Sequence, residues 1–465
     1  MRILPLVLAV ALFMENMDAT VIATSLPAIA RDIGTEPIAL KLALTAYFVA
    51  LAIFIPLSGW MADRFGPRNV FRIAIGVFMA GSIACAFSDS LFTFVFARFL
   101  QGMGGSMMSP VARLVLARNT PKTELVNALA WLTVPALIGP LVGPPVGGFI
   151  TTFFSWHWIF WINIPIGILG LLLISRVLED DGTRHRRPID LIGLMLVATT
   201  FAGALFGFSV IGLPAIPTEA GFAAIAVGLV AGLLYWRHAG RTAQPILEPG
   251  LFRNAIFRAA VFAGSLFRVG NAAFAFLMPL MLQLAFGLSP LESGLTTFVS
   301  AIGAILSKFA ATTVFRRFGF PLALPLAAAI AILILFSFSL AAPGMPYWLL
   351  MGLLFVAGLA RSIFFTGVNA LVFADVERDK QSQGTVINSV AQQLSTAAGV
   401  AVAAAAIEFS SRLHGGGLTL TDFHVGWIAL GLISVLSLMP LLRLPAGAAS
   451  DVSGHRMAAK LDDEA

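Results

Sequence analysis

Long apolar runs alternate along this chain with short clusters of charge, proline and glycine. The runs are too long for buried strands and too continuously apolar for the surface helices of a soluble domain. Crossing a hydrocarbon layer of ~30 Å takes about 20 residues of helix. Breaking the chain at its polar clusters predicts fourteen such spans: 3–28, 42–62, 71–88, 91–117, 125–151, 158–178, 190–211, 219–237, 257–286, 291–314, 319–341, 346–373, 384–409 and 424–443. The connections are short, which leaves no room for a separate soluble domain. The closing stretch GAASDVSGHRMAAKLDDEA is polar and predicts a disordered tail.

Composition strengthens this reading. Of 465 residues, 58% are hydrophobic and only 11% charged, against about 25% charged in soluble domains. Such a chain has more apolar surface than a soluble core can hide, so the excess must face lipid. Arg2, the following apolar stretch and the AIA ending at residue 30 imitate a cleavable secretory signal. The acids inside the run and the many spans after it favour a retained first helix instead. The single cysteine, Cys85, lies in an apolar run; it allows no intrachain disulfide and reads as an inert core thiol.

The basic residues fix an orientation. With the N-terminus cytoplasmic, only Arg31, Lys41 and Arg412 fall in outer loops, and Arg98, Arg268, Lys308 and Arg361 fall well inside spans. The other 22 of the 29 Lys and Arg lie on the cytoplasmic side, among them those of DRFGPRNVFR and TRHRR. Both termini are then cytoplasmic. The net charge of +6 is accounted for by topology, so no nucleic-acid partner is expected.

Ionisable residues within spans are costly and default to functional roles. Asp18 lies in the first span and must be neutralised, paired or hydrated. Glu15 is three residues earlier, on the same helical face. Two close carboxylates in low dielectric resist being ionised together, so the pair is expected to hold an exchangeable proton. The plainer alternative for Glu15 is solvation at a water-filled mouth. Arg98, in the fourth span, is permanently charged and pairs with a carboxylate, organises a polar network or ties helices together. Arg268 and Arg361 are its counterparts in the C-terminal half, as ligands or as static locks.

Other polar groups suggest a cavity. Gln101, Arg268, Asn271, Arg361, Asn369, Asn388 and Gln392 are the substrate-cavity candidates, with Asn388 and Gln392 four apart on one helix face. Phe274, Phe276, Phe364 and Phe365 would make such a pocket aromatic. In GPLVGPPVGG (139–148), Gly139, Gly143 and Gly147 form a smooth stripe for close helix packing, while Pro140, Pro144 and Pro145 bend the helix. No phosphate-binding P-loop, metal-ligand spacing among the six histidines or nucleophile elbow occurs. An ATP-driven pump, a metal site, a cofactor and an enzyme are therefore not expected.

The chain also repeats itself. DRFGPR (63–68), after the second span, returns as RRFGFP (316–321), after the tenth. Setting aside spans seven and eight as an inserted hairpin makes the tenth span the second helix of a C-terminal half, a 6 + 2 + 6 arrangement.

These features resemble the fourteen-helix drug:proton antiporters of the major facilitator superfamily, over nearly the whole length. GWMADRFGPR (59–68) resembles the signature of the loop between helices two and three, and ARFLQGMGG (97–105), with Arg98, Gln101 and Gly102, the fourth-helix signature. GPLVGPPVGG resembles the fifth-helix antiporter motif, here Gly139, Pro140, Gly143, Pro144, Gly147 and Gly148. MDATVIATSLP (17–27) is similar to the first-helix acid motif. SWHWIFWINIPIG (155–167) is similar to the stretch leading into helix six, with His157 where an Arg is frequent.

The resemblance implies an all-α polytopic major-facilitator fold: an N-terminal six-helix bundle (1–180), two inserted helices with linkers (181–250), a C-terminal six-helix bundle (251–445) and a cytoplasmic tail (446–465). It implies proton coupling through Asp18 and Arg98. It also implies a conformational latch at Gly59, Asp63, Arg64, Gly66 and Arg68, with Asp63 facing a helix N-terminus of the other half, and a seal between halves at the fifth-helix motif. The function expected is proton-coupled export of amphipathic drugs or toxic compounds by alternating access, in a bacterial inner membrane, by a monomer for which no periplasmic adaptor is indicated. The alternatives are export of an endogenous metabolite or small organic anion and, in another class, a non-transporting membrane receptor. The expected partners are a small-molecule substrate, protons and the lipid bilayer.

Overall fold

The computed structural model describes residues 3–120, 125–178, 189–211, 217–243, 245–377, 380–413, 415–445 and 449. The predicted tail at 446–465, Ala449 apart, and the TRHRR segment lie outside the described residues. Within them every regular element is helical. Each of the fourteen predicted spans is helical. They are α1 (Ile3–Val21), α2 (Lys41–Phe65), α3 (Pro67–Ala86), α4 (Leu91–Asn119), α5 (Leu125–Phe153), α6 (Asn163–Val177), α7 (Leu191–Val210), α8 (Thr218–Ala239) and α9 (Ala255–Ala272). Beyond them one long helix, Pro290–Ser337, breaks at Gly319 into α10 (290–318) and α11 (320–337). α12 (Tyr347–Ala374), α13 (Gln381–Leu413) and α14 (Leu420–Val435) complete the set.

The internal repeat is written in the backbone as well as the sequence. Gly66 (φ 84°) ends α2 and Gly319 (φ 67°) ends α10, each in the left-handed region that a side chain disfavours. Each lets the chain turn sharply from the second into the third helix of its half. The packing repeats too: α1 packs on α5 and α6 as α9 packs on α13 and α14. Across the seam, α5 touches α10 and α13 touches α2, so the fifth helix of each half meets the second of the other. This is the pseudo-twofold arrangement of a major-facilitator fold.

The inserted pair has a definite place. α8 packs on α7, with Gly203 and Gly207 of one against Gly221 and Gly228 of the other, and α7 packs on both α2 and α13. Val49, Ile53, Leu205 and Ala397 form an apolar cluster there, and Ser209 donates to Thr45 at 3.3 Å. The pair therefore lies over one side of the seam. Large apolar side chains such as Phe92, Phe309 and Trp348 point outward, as a lipid-facing surface requires.

Capping fixes where helices begin. Ser90 and Thr93, Ser289 and Glu292, and Thr419 and Asp422 form reciprocal capping boxes at the starts of α4, α10 and α14. All three lie on the face away from loop 63–68. We call the face bearing that loop the basic face and the other the distal face.

Close crossings depend on small residues. A Cβ at Gly102 of α4 would lie 2.9 Å from the Ala50 Cβ of α2 and would collide with the Tyr47 carbonyl oxygen. Gly102→Ala is expected to destabilise the protein by about 1–3 kcal/mol through overpacking, read as a lower unfolding temperature in detergent. An unchanged midpoint would mean that the α2–α4 crossing is looser than described.

Candidate functional site

Four helices of the N-terminal half bring polar side chains to one point. α1 carries Asp18, three residues before its α-helical turns give way to a 3-10 turn at Ile22–Thr24. α3 supplies Ser82, α4 Arg98 and Gln101, and α6 Asn163, all of them buried. The Asp18 Oδ2 accepts from the Arg98 guanidinium at 2.7 Å. Its Oδ1 accepts from Gln101 Nε2 at 2.8 Å and from Asn163 Nδ2 at 2.8 Å. The two amides also donate to Ser82 Oγ, at 2.7 and 3.0 Å, and Arg98 donates to Gln101 Oε1. Asp18 is 0% and Arg98 1% exposed, so this pair is screened by protein alone.

An ion pair this deep holds only because each charge has several partners. The Asp18 carboxylate has three donors, and the Arg98 guanidinium also lies over the Tyr47 ring at 4.4 Å. Asn163, Ser82 and Tyr47 did not stand out in the sequence. Their signal was only that they are polar residues inside apolar runs.

Glu15 lies one turn nearer the basic face and has a different environment. It lines a cavity of ≈ 760 Å³ with Arg113, Asp63 and Asp190 on one side and Gln392 and Gln393 of α13 on the other. Arg113 is close enough to attract it electrostatically. Its Oε2 is buried and has no hydrogen-bond partner among the described residues. Tyr47, whose ring lies under Arg98, also comes near Glu15. Its hydroxyl and the Glu15 Cγ both border Gly105, where a Cβ would lie 3.3 and 3.6 Å from them. That hydroxyl also has no partner among the described residues. Arg113 was missed because it was counted with the basic-face charges.

Residues of both halves line this cavity, and several of them end their helices at the basic face. At the distal face the halves touch. A Cβ on Gly148 of α5 would lie 2.9 Å from the Leu291 Cα of α10. Gln283 donates to the Thr24 carbonyl at 2.9 Å, and the Leu291 N–H to Thr152 at 3.1 Å. Lys41 of α2, 0% exposed, pairs with Glu408 of α13 at 2.7 Å. The structure is therefore open at the basic face and shut at the distal one.

The remaining expected residues divide. Asn388 and Gln392 both donate to the Asn369 Oδ1, at 3.2 and 3.1 Å, so those three do cluster. Gln101 is a correction to the cavity set: it is fully buried in the Asp18 network. Asn271 is another, since its amide folds back onto the Phe267 carbonyl at 3.0 Å. Arg268 and Arg361 sit mid-helix in the C-terminal half, half-buried.

The glycine stripe packs inside its own half. A Cβ on Gly139 would lie 2.9 Å from the Met17 N and the Phe13 O of α1, and Gly143 and Gly147 abut Thr20, Val21 and Thr24. Contact between the halves is made beside it, where Pro144 meets Gly294 and Gly148 meets Pro290 and Leu291. Pro140 instead lines the cavity. In loop 63–68, Asp63 pairs with Arg118 of its own half at 2.6 Å rather than with a helix N-terminus of the other. The Arg68 guanidinium donates to the Ser175 carbonyl at 2.6 Å. Arg64 is exposed, and nothing approaches Gly59. With the basic face open, the expected inter-half latch is not engaged.

The comparisons with known proteins agree with this architecture. The model of the Major Facilitator Superfamily matches residues 8–400 and 260–460. MdtD of Pectobacterium atrosepticum, a protein named for multidrug resistance, is 34% identical over 445 residues, covering 94% of this chain and 95% of that one. MdtD of Escherichia coli K12 is 34% identical over 448 residues, covering 94% of each. The crystal structure of a D-xylose–proton symporter shares the fold at 18% identity, with a TM-score of 0.69 over 96% of this chain and 98% of that one. An auto-inhibited POT-family peptide transporter shares it at 14% identity, with a TM-score of 0.70 over the same shares.

The buried pair yields a stability test. Arg98→Leu leaves Asp18 buried without its counter-charge, a loss expected to cost about 3–5 kcal/mol. Adding Asp18→Asn to Arg98→Leu removes the orphaned charge, so the double variant should unfold at a higher temperature than Arg98→Leu alone. Simple additivity of the two substitutions would mean that the pair is not coupled.

Proposed function

The chain belongs to the major facilitator superfamily, and from that membership we propose that it is a proton-coupled antiporter exporting amphipathic compounds by alternating access. Family and fold make it a multi-pass membrane transporter and not an enzyme. The observation that supports the coupling is the buried Asp18–Arg98 pair, one helical turn from a cavity-lining acid, Glu15.

The proposed orientation places the basic face in the cytoplasm of a bacterial inner membrane. The structure is then the inward-open state, with Asp18 ionised and held by Arg98. The amphipathic compound enters between the halves from the cytoplasm. Rocking outward breaks the Lys41–Glu408 and α5–α10 contacts and engages Asp63 at the opposite end. A proton from outside neutralises Asp18 and frees Arg98, and the compound leaves. On return the proton passes by Tyr47 and Glu15 into the cytoplasmic cavity. A potential of about 150 mV gives an inward proton roughly 3.5 kcal/mol, which sustains a gradient of about 300-fold for a neutral solute.

The test uses everted membrane vesicles with an imposed pH gradient and a fluorescent pH reporter, challenged with amphipathic compounds of different charge. Wild type is expected to dissipate the gradient with at least one class. Asp18→Asn should lose the response by at least about tenfold while remaining folded and membrane-inserted, and Glu15→Gln should slow it. Undiminished proton-linked export by a stable Asp18→Asn protein would overturn the assignment.

A further inference from the structure

The C-terminal half holds two arginines that are compensated quite unlike the other buried cations. Arg98 has Asp18 and Lys41 has Glu408. Arg268 has no oxygen acceptor among the described residues, only the Phe365 ring at 4.1 Å. Arg361 has the Ser300 hydroxyl at 3.0 Å and the Phe274 ring at 5.3 Å, and no carboxylate. The Phe365 ring under Arg268 belongs to the turn of α12 that follows Arg361, and Phe267, next to Arg268, packs on Phe364 with ring centroids 3.8 Å apart. The two arginines come from packed helices, α9 and α12. Each lies near the middle of its span, residue 268 within Ala255–Ala285 and residue 361 within Tyr347–Ala374.

Two like charges at mid-membrane depth with no counter-charge are expensive to fold. A static lock would supply the missing acceptor, as Asp18 does for Arg98 and Glu408 does for Lys41. A pair with aromatic neighbours and no carboxylate partner among the described residues instead fits a ligand that brings the negative charge. A guanidinium presents a planar fork to a carboxylate, sulfonate or phosphate oxygen, and the phenyl rings suit an apolar or aromatic body.

We infer that Arg268 and Arg361 receive an anionic group of the transported compound, so that the substrate is an amphipathic organic acid. This rests on the transport reading above and deepens it by giving the substrate a charge. The polar trio Asn369, Asn388 and Gln392, on α12 and α13, lies beyond the pair toward the cavity.

The experiment measures ligand protection against thermal unfolding of purified full-length protein in detergent at constant ionic strength. The first probes are 2-naphthoate, its neutral amide, 2-naphthylmethylammonium and sodium chloride, followed by a series of aryl carboxylates, sulfonates and phosphate monoesters. Organic anions are expected to raise the unfolding temperature of wild type, with the amide and the ammonium ineffective. Arg268→Gln and Arg361→Gln should each raise the half-protecting concentration by at least about tenfold, and Arg→Lys at either site should retain part of the effect. The ligand-free double Gln variant should unfold no lower than wild type, since it removes uncompensated charge, whereas loss of a structural lock would lower it. The inference is overturned if no anion in the series separates wild type from the double variant, if the ammonium protects as well, or if chloride alone suffices and marks a plain counter-ion site. Neither a proton gradient nor turnover is needed. A negative result here leaves the coupling role of Asp18 standing, and a negative vesicle result leaves this inference standing.

Discussion

The ion pair between Asp18 and Arg98 constrains the N-terminal half more than any other contact. A carboxylate and a guanidinium, both out of reach of water, require acceptors and donors on every side. Gln101 and Asn163 supply partners to the pair from two further positions, and Ser82 on a third helix anchors both amides. Their positions fix how α1, α3, α4 and α6 sit around one another, so any change in the charge of Asp18 must be felt by all four. Neutralising Asp18 would remove the reason for Arg98 to stay in place, and the proposed coupling uses this to turn a proton into a mechanical signal.

The seam between the halves supplies what that signal acts on. The distal face is shut by backbone-close contacts at Gly148 and Gly294 and by the Lys41–Glu408 pair, while the basic face holds the cavity. Rigid halves joined at one end and parted at the other can exchange which end is open. The glycine stripe keeps α1 tight against α5, so Asp18 and the sealing segment Pro144–Gly148 belong to one rigid unit. The inserted pair α7 and α8 lies over the side of the seam where α2 meets α13, so the proposed rocking would require it to slide or flex.

Much of the fold was legible in the sequence because lipid imposes a simple rule. A span must be about 20 apolar residues long and helical, so counting runs located the long helices among the described residues, and the RFG repeat marks two corresponding turns, at Gly66 and Gly319. The positive φ of Gly66 and Gly319 gives that repeat its physical reason. The site was only partly legible. Asp18 and Arg98 stand out as charges in apolar runs, but their pairing depends on the crossing of α1 with α4. Gln101 and Asn271 were expected at the cavity because they are polar, and nothing local tells a cavity-facing amide from one turned into a buried network. Lys41 was read as a loop charge, although it begins α2 and reaches Glu408, 367 residues away. Such partnerships follow from tertiary packing and leave no periodic trace.

In the proposed cycle Asp18 changes its protonation state as the transporter changes face. Infrared difference spectroscopy on the reconstituted protein, stepped from low to high pH, reports this directly. The account predicts a protonated-carboxyl band that is lost as the pH rises and is missing from the difference spectrum of Asp18→Asn, with Glu15→Gln removing a separate band. A difference spectrum unchanged by Asp18→Asn would show that Asp18 keeps its charge throughout, and would contradict the account.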